Sequence, residues 1–198
     1  SPGYRNSGGN SKMRNRVYVK IYFARIETLC PKHKTSMKSK ETKKTNVARL
    51  LDHDNIKYEL VAYEVDENDL SAVHVAESLG EDIKQVFKTI VLHGDKSGNI
   101  VCVVPGDAEV DLKKAAQVSG NKKCSPLPLK ELLPTTGYIR GGCSPIGMKK
   151  FFPITFHKTA EDFETIMFSA GKIGHQVEVK LSDVDKVIRY QIADIVTD

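Results

Sequence analysis

The chain has 198 residues, of which 40% are apolar and 28% are charged, a composition that predicts one globular domain with a sizeable core. No run of about 20 apolar residues is present, and no charged segment leads into an uninterrupted apolar stretch, so neither a transmembrane helix nor a secretory signal is expected. The net charge of +5 is uneven, because residues 1–46 contain 12 Lys/Arg and 2 Asp/Glu, whereas residues 47–198 contain 18 and 23.

The basic segment is predicted to be a tail, residues 1–44, that precedes a globular domain of residues 45–198. Met13 and Met37 both qualify as translation starts, so the tail is interpreted as either a tag or a mis-started leader. Its arginine-rich, acid-poor composition also fits a transit peptide, and its partly apolar stretch 17–29 is compatible with an added strand. Because the domain is mildly acidic, any contact it makes with nucleic acid must come from local basic patches.

Capping residues and glycines mark the predicted elements of the first 120 residues. A capping side chain precedes each apolar pattern of helical period, and glycine or asparagine follows it. Three helices are predicted, from Thr45 to about Asn55, from Asp69 or Ser71 to Gly80, and from Asp111 through Val118 to Gly120. Strands are predicted over 57–65, 86–93 and 100–104, where β-branched and aromatic residues dominate. The last two strands, joined by the polar loop 94–99, form a predicted hairpin.

Prolines and glycines divide the second half of the chain into short elements. The predictions are a helical turn over 127–133, strands over 137–140, 154–157, 163–168 and 177–181, and a last helix from Ser182 to Ile188. Strands are many and crossover helices are few. The sequence therefore predicts an α+β fold, with a mixed, curved, barrel-like sheet and flanking helices.

Lys88 interrupts an apolar face of the strand predicted over 86–93. Side chains alternate along a strand, so Lys88 shares its face with Val86, Ile90 and Leu92, which are all apolar. Such a lysine is either buried for a purpose or close enough to the strand end to extend its ammonium group into water. Beside a pocket, an ammonium group binds a phosphate or polarises a carbonyl, which makes Lys88 the first candidate for a functional residue.

Two glycine-containing loops are the next candidates. Consecutive glycines in the segment Gly141–Gly147 allow a ligand to approach the backbone, whose N–H groups bind anions, although a tight turn explains the same pattern. Cys143 in this segment has no His or Asp at a spacing that would support a nucleophile. The loop 169–174 contains the Gly-Lys-Ile-Gly tetrad of RNA-binding KH modules, but strands rather than helices are predicted to flank it.

No metal or cofactor site is predicted. The six histidines are scattered, and none of the four cysteines has a partner at metal-ligand spacing. The cysteines are expected to be reduced thiols of a cytosolic protein. Three basic doublets are either solvated surface or, if they share one face, phosphate contacts; they are Lys113-Lys114, Lys122-Lys123 and Lys149-Lys150.

Several of these segments together resemble one family. The motifs that occur in its order and at its spacing are Val86-Phe87-Lys88-Thr89, Val110-Asp111-Leu112-Lys113-Lys114, Gly137-Tyr138, Gly141-Gly142-Cys143-Ser144-Pro145-Ile146-Gly147 and Ser169-Ala170-Gly171-Lys172. They resemble the YbaK/EbsC proteins, which are Cys-tRNA(Pro) deacylases related to the editing domain inserted in bacterial prolyl-tRNA synthetases. The resemblance covers about residues 45–198 and implies the family's mixed, barrel-like fold.

The resemblance also implies roles for individual residues. Lys88 matches the family's essential lysine, expected to bind the terminal nucleotide or the aminoacyl group, and Gly141 matches the glycine whose backbone lines the ester site. The remaining matches imply substrate-binding positions at Tyr63, Thr89, Gly142, Ser144, Pro145 and Ser169. Where many members carry an aspartate, this chain has Gln176, which leaves the preference between cysteine and alanine open. The family's pocket aromatic is either missing or replaced by Leu70.

The implied activity is hydrolysis of a mischarged tRNA in the cytoplasm. In this family the thiol of the bound cysteine is expected to attack its own ester, without a cofactor, so positioning supplies much of the rate. The expected substrate is Cys-tRNA(Pro) or Cys-tRNA(Cys), and the expected partners are the acceptor end of tRNA(Pro) and prolyl-tRNA synthetase, with no membrane contact. Editing is needed because a proline pocket separates small side chains by only about 1–3 kcal/mol. Two alternatives stay open, an Ala-tRNA(Pro) deacylase and a non-catalytic tRNA- or synthetase-binding module.

Overall fold

The computed structural model describes residues 44–198, so the predictions for the basic tail lie outside the described residues. The helices are α1 (Asn46–His53), α2 (Ala72–Leu79), α3 (Leu112–Val118), α4 (Leu129–Thr136) and α5 (Leu181–Val184), with a 3₁₀ helix over Lys158–Asp162. The strands are β1 (Tyr58–Ala62), β2 (Phe87–Gly94), β3 (Gly98–Pro105), β4 (Cys124–Pro126), β5 (Ile154–His157), β6 (Ile166–Ser169), β7 (His175–Val179) and β8 (Gln191–Ala193).

The strands form two separate sheets. One contains three antiparallel strands in the order β1-β7-β6, and the other contains five strands in the order β4-β2-β3-β5-β8. In the larger sheet β2 pairs antiparallel with β3 and β4, whereas β3 pairs parallel with β5 and β5 parallel with β8. The predicted mixed α+β class is confirmed, but the strands of residues 44–198 do not close into a barrel. Within the described part of the chain, no helix is both long and apolar enough to cross a membrane.

Local capping rules explain where the helices begin. The side chains of Thr45 and Ser71 each accept a hydrogen bond from a backbone N–H three residues later. Asp111 accepts from two backbone N–H groups at the start of α3. Gly80 ends α2 with a φ of 67°, a conformation that glycine adopts without strain. The three predicted helix starts in this half of the chain are therefore confirmed, with Ser71 rather than Asp69 as the second cap.

Two predicted elements in the second half are wrong. Residues 137–140 do not form a strand, because Gly137 ends α4 with a φ of 85° and the chain then turns. The last helix does not run from Ser182 to Ile188, since α5 spans only Leu181–Val184 and Lys180 stands at its N-cap. The strands β4 and β8, each three residues long, were not predicted from the sequence pattern.

The two sheets meet next to the strand that carries Lys88. Phe156 of β5 and Phe168 of β6 belong to the same buried cluster, so both sheets contribute to the main core. At the junction the N–H of Met167 donates to the carbonyl of Gln85 at 3.0 Å. A second, smaller cluster lies under α2. Lys88, near the start of β2, follows this junction by three residues in the chain.

Candidate active site

A cavity of about 410 Å³ lies between β2, the start of α2, α4 and the loop that follows α4. We call it the Lys88 cavity. Most of its wall is apolar. The polar and charged side chains that line it are Ser71, Lys88, Thr89, Arg140, Ser169 and Gln176, and no acidic side chain of the described residues is among them. The cavity thus combines an apolar body with a few polar groups, as sites for small ligands generally do.

Lys88 lines the cavity with a partly buried side chain, and its ammonium group pairs with an exposed carboxylate. The side chain is 24% exposed, and its Nζ lies 3.3 Å from Oε1 of Glu109, whose own side chain is 81% exposed. Both alternatives posed by the sequence therefore apply in part, because the stem is packed while the charge reaches a solvated partner. An ion pair with one exposed member is worth about 0–1 kcal/mol, so an anion entering the cavity can replace Glu109 at little cost.

The loop after α4 contributes residues with unpaired backbone N–H groups to the wall of the Lys88 cavity. Gly142 N donates to Ile139 O at 3.0 Å, and Gly141 has a φ of 83°, as the third residue of a type II turn requires. The N–H groups of Gly141 and Cys143, which both line the cavity, have no hydrogen-bond partner among residues 44–198. Glycine is favoured at 141 because a φ of 83° strains any other residue, and an added Cβ would also lie 3.1 Å from Cβ of Leu70.

Two buried oxygens in the cavity wall lack partners within the described chain. They are Oγ1 of Thr89 and Oε1 of Gln176. Gln176 is 5% exposed and lies opposite Ser169 in the pairing of β6 with β7. Oγ of Ser169 accepts from the N–H of Gly171 at 3.2 Å. Because an unpaired buried polar group costs about 1–3 kcal/mol, Thr89 and Gln176 are candidates for contacts with a bound ligand.

Four of the eight predicted site residues line the cavity, namely Lys88, Thr89, Gly141 and Ser169. The other four lie outside its wall. Tyr63 packs against the cluster under α2, and the N–H of Gly142 is used in the turn. Oγ of the fully buried Ser144 accepts from Ile146 N at 3.3 Å, while Pro145 lines a second cavity on another side of the same loop.

Burial keeps the thiol of Cys143 protonated. Its removal from water raises the pKa to about 12, although a hydrogen bond with Thr136 acts in the opposite direction. A thiolate, the form that acts as a nucleophile, is then scarce at neutral pH. The sequence-based view that Cys143 is not a nucleophile agrees with this environment.

Arg140 and Leu70 complete the wall beside Gly141. Leu70, considered in the sequence as a replacement for an aromatic residue, lines the cavity, and its side chain would lie 3.1 Å from a Cβ added at Gly141. Arg140 was not predicted, because one exposed arginine before two glycines looks like ordinary surface. The sequence signal that could have identified it is its position directly before the glycine pair. Within residues 44–198 no group of three or more His, Cys, Asp or Glu side chains is arranged to hold a metal ion.

Comparison with known proteins identifies the family to which this chain belongs. The family described as "Aminoacyl-tRNA editing domain" matches residues 66–187, more than half of the chain. The chain is also 46% identical over 160 residues to "Putative Cys-tRNA(Pro)/Cys-tRNA(Cys) deacylase EbsC" of Enterococcus faecalis, in an alignment that covers 81% of this chain and 98% of that protein. The resemblance to the YbaK/EbsC proteins is therefore confirmed.

Solved structures show the same fold at lower identity. A protein described as "a putative trans-editing enzyme for prolyl tRNA synthetase" superposes with a TM-score of 0.65 and 20% identity, over 78% of this chain and 99% of that one. "Hypothetical protein APE2540" gives a TM-score of 0.69 and 16% identity, over 76% of this chain and 99% of that one. By sequence match and by fold, the chain belongs to the aminoacyl-tRNA editing domain family.

Proposed function

We propose that the protein hydrolyses the ester bond of mischarged tRNA, with Cys-tRNA(Pro) as its main substrate. The relative from Enterococcus faecalis bears the name of a deacylase for Cys-tRNA(Pro) and Cys-tRNA(Cys). The observation that carries the proposal is the composition of the Lys88 cavity, where a lysine meets two residues whose backbone N–H groups have no partner among residues 44–198, and where none of these residues adds an acidic side chain to the wall. Such a wall suits an ester attached to a polyanion.

The chemistry proposed is assisted by the substrate. The thiol of the bound cysteine attacks its own ester carbonyl, which forms a carbon–sulfur bond and breaks the bond from the carbonyl carbon to the ribose oxygen. The thiol proton ends on that ribose oxygen, and water then opens the four-membered thiolactone to free cysteine. No protein nucleophile is required, in keeping with the protonated thiol of Cys143. Holding the thiol against the carbonyl supplies the rate, as in other well-oriented intramolecular reactions.

Each residue of the cavity has a proposed role in this step. Lys88 binds beside the leaving ribose oxygen, where its positive charge stabilises the charge that develops as the bond breaks. The N–H groups of Gly141 and Cys143 donate to the carbonyl oxygen as it becomes negative. Thr89 and Gln176 offer their unpaired oxygens to the ammonium group of the amino acid. These assignments make the buried polar atoms functional groups of the site.

The residues outside the wall support the site indirectly in this proposal. Ser144 and Gly142 fix the glycine loop through their hydrogen bonds, and Pro145 stiffens it. Tyr63 packs behind the cavity, where it shapes the substrate-binding wall from outside. Residues 45–198 form the catalytic domain, and residues 1–44 are a tail that the reaction does not need.

The proposed setting is the cytoplasm, where the acceptor end of tRNA(Pro) is presented together with prolyl-tRNA synthetase. The structural neighbour described as a trans-editing enzyme for that synthetase supports the partner. Removal of residues 1–36 is expected to leave turnover of Cys-tRNA(Pro) largely intact at saturating substrate. A truncated chain that folds but loses turnover would place part of the tail in the site.

A deacylation panel tests the function. Purified protein is incubated with Cys-, Ala- and Pro-tRNA(Pro) and with Cys-tRNA(Cys), and the remaining ester is measured against time. We expect rapid loss of the cysteinyl esters and slow loss of the prolyl ester. Preferred loss of Ala-tRNA(Pro) would instead assign the alanine specificity that the neutral Gln176 leaves open. Tight tRNA binding without loss of any ester would indicate a non-catalytic binding module.

A further inference from the structure

The Lys88 cavity concentrates positive charge in a domain that is otherwise acidic. Residues 47–198 contain 18 Lys/Arg and 23 Asp/Glu, yet the charged side chains that line the cavity within the described chain are Lys88 and Arg140. Lys88 is paired with Glu109, which lies outside the wall, whereas Arg140 has no ionic partner within the described chain, so the wall itself offers positive charge that attracts anions. The cavity therefore selects a ligand with more than one anionic or electron-rich group.

The two cations differ in whether they have a partner. Lys88 lies 3.3 Å from Glu109, whereas Arg140 makes no hydrogen bond or ion pair with any residue of the described chain. Arg140 is exposed, and it lines the cavity from the second position of the turn closed by Gly142 N and Ile139 O. The φ of 83° at Gly141 fixes that turn, so the backbone of Arg140 is held in place before a ligand arrives.

The substrate proposed above decides what Arg140 can bind. An aminoacyl ester carries an ammonium group at neutral pH and no carboxylate, so Arg140 is repelled by the amino acid. The nearest anion of the substrate is the phosphodiester on the 5′ side of the terminal nucleoside. A guanidinium group matches two phosphate oxygens at once, which a lysine does not.

We propose that Arg140 is a binding residue for the phosphodiester that joins the last two nucleotides of the tRNA. The inference rests on the proposed function. The ester then lies between Lys88 and the N–H of Gly141, the terminal nucleoside spans the cavity mouth, and Arg140 holds the phosphate at the rim. One turn thereby fixes both a donor to the reacting carbonyl, at Gly141, and an anchor for the RNA, at Arg140. The distance between phosphate and ester sets the register of the substrate.

Binding of uncharged RNA tests the contact independently of catalysis. The dissociation constant of a single-stranded CCA-ended oligonucleotide is measured against salt concentration for the wild type, Arg140→Ala, Arg140→Lys and Arg49→Ala. Arg49 is an exposed arginine of α1 that does not line either cavity, so it is the matched control. Arg140→Ala is expected to lower the slope of log affinity against log salt by about 0.7, the value of one single-strand phosphate contact. Arg140→Lys keeps the slope, because it keeps the charge.

Hydrolysis of two minimal substrates locates the phosphate. One is the 3′-cysteinyl ester of cytidylyl-adenosine, which contains the phosphodiester, and the other is the same ester of adenosine, which lacks it. Arg140→Ala is expected to lose about tenfold more kcat/KM on the first substrate than on the second, in line with the loss of one charged hydrogen-bonded contact. Thermal unfolding of each variant confirms that it is folded.

The results of these two experiments distinguish a failure of the Arg140 inference from a failure of the proposed deacylase function. An unchanged salt slope in Arg140→Ala, or equal losses on both esters, would overturn the role of Arg140 while leaving the deacylase intact. A wild type that hydrolyses none of the esters would overturn the proposed function, and the salt slope would still decide whether Arg140 binds phosphate. If Arg49→Ala lowered the salt slope as much as Arg140→Ala, the effect would come from the net charge of the protein and not from a contact at Arg140, and the inference would be overturned.

Discussion

Lys88 is a single charge on a strand face whose other members are apolar, since Val86 and Leu92 are buried and Ile90 is partly buried. Lys88→Ala is expected to abolish deacylation while the fold persists. The loss of a charge contact to the reacting ester costs several kcal/mol, and each 1.4 kcal/mol or so is tenfold in rate. Single-turnover decay of Cys-tRNA(Pro), together with thermal unfolding, measures both effects.

Glu109→Gln is the matched control for this variant, because it removes the ion pair and leaves the lysine in place. We expect it to keep its turnover, since Glu109 is exposed and lies outside the cavity wall. If Glu109→Gln lost as much turnover as Lys88→Ala, the lysine would act through its ion pair with Glu109, and the catalytic assignment of Lys88 would be wrong. A folded Lys88→Ala with near-normal turnover would contradict it as well.

Cys143 tests whether the substrate or the protein supplies the nucleophile. Cys143→Ala is expected to keep most Cys-tRNA deacylation, because burial raises the thiol pKa to about 12 and the residue contributes its backbone N–H. Ser-tRNA is expected to react much more slowly with the wild type, since a hydroxyl is a poorer nucleophile than a thiol. The measurements are single-turnover rates and mass spectrometry of the quenched enzyme. A large loss in the variant, with an acyl group trapped on the wild type, would establish covalent catalysis instead.

At the scale of an element, the turn that follows α4 positions the backbone donors. Gly141→Ala is expected to lower kcat by tenfold or more, because alanine at a φ of 83° is strained by about 1–2 kcal/mol and its Cβ would meet Leu70 at 3.1 Å. Relief of both would rotate the N–H away from the carbonyl. The variant is compared by kcat and by its free energy of unfolding.

Gly120→Ala provides the control for strain alone. Gly120 has a φ of 73°, and an added Cβ would have no atom within 4 Å. We expect the Gly120→Ala variant to be destabilised by about 1–2 kcal/mol as well, but to keep its kcat. Parallel losses of kcat in the two variants would mean that the turn acts on stability and not on catalysis.

The elements also show which parts of the structure a sequence can reveal. Caps such as Thr45 and Asp111 depend on neighbours within three residues, so their pattern is complete in a short window. The strand predicted over 137–140 was wrong because two glycines there serve a helix end and a turn. The strand β8 is short and pairs with β5, 36 residues earlier, a partner that no local pattern identifies.

The same distinction holds for the site. Lys88 and Gly141 stand out locally, one as a charge in an apolar strand and the other as half of a glycine pair. The proximity of Leu70 to Gly141 and the position of Arg140 in the wall depend on segments that lie far apart in the chain. A local pattern was therefore enough to select Lys88 and Gly141 as candidates, whereas the positions of Leu70 and Arg140 in the cavity wall needed the structure.

For the whole molecule, two histidines make stability depend on pH. Burial lowers the pKa of His157, even though Asp194 lies nearby, and burial also lowers the pKa of His175. Below about pH 6.5 the unfolded chain binds protons that the folded chain does not, so stability is complete above that pH and declines as the pH falls through the folded values. We expect a lower free energy of unfolding at pH 5 than at pH 7.5, measured by urea denaturation.

His157→Asn identifies the source of this decline. The Nδ1 atom of His157 accepts from Ile195 N at 3.3 Å, and the amide oxygen of asparagine can accept at the same position without titrating. The difference between pH 7.5 and pH 5 is expected to shrink in this variant and to persist in His53→Asn, whose side chain is 83% exposed. A stability that is constant between these pH values in the wild type would contradict the assignment.

The pairing of β1 with β7 has a consequence for how the chain is made. Tyr58 pairs with Val179, so β1 cannot find its partner until a strand 121 residues further along the chain has been synthesised. The wall that holds Ser169 and Gln176 belongs to that same late sheet, whereas the β2–β3 hairpin that holds Lys88 pairs locally. During translation the growing chain therefore carries the lysine long before it carries the opposite wall. A chain whose synthesis stops before β7 leaves β1 without its partner strand, and such an unpaired strand edge is prone to aggregation.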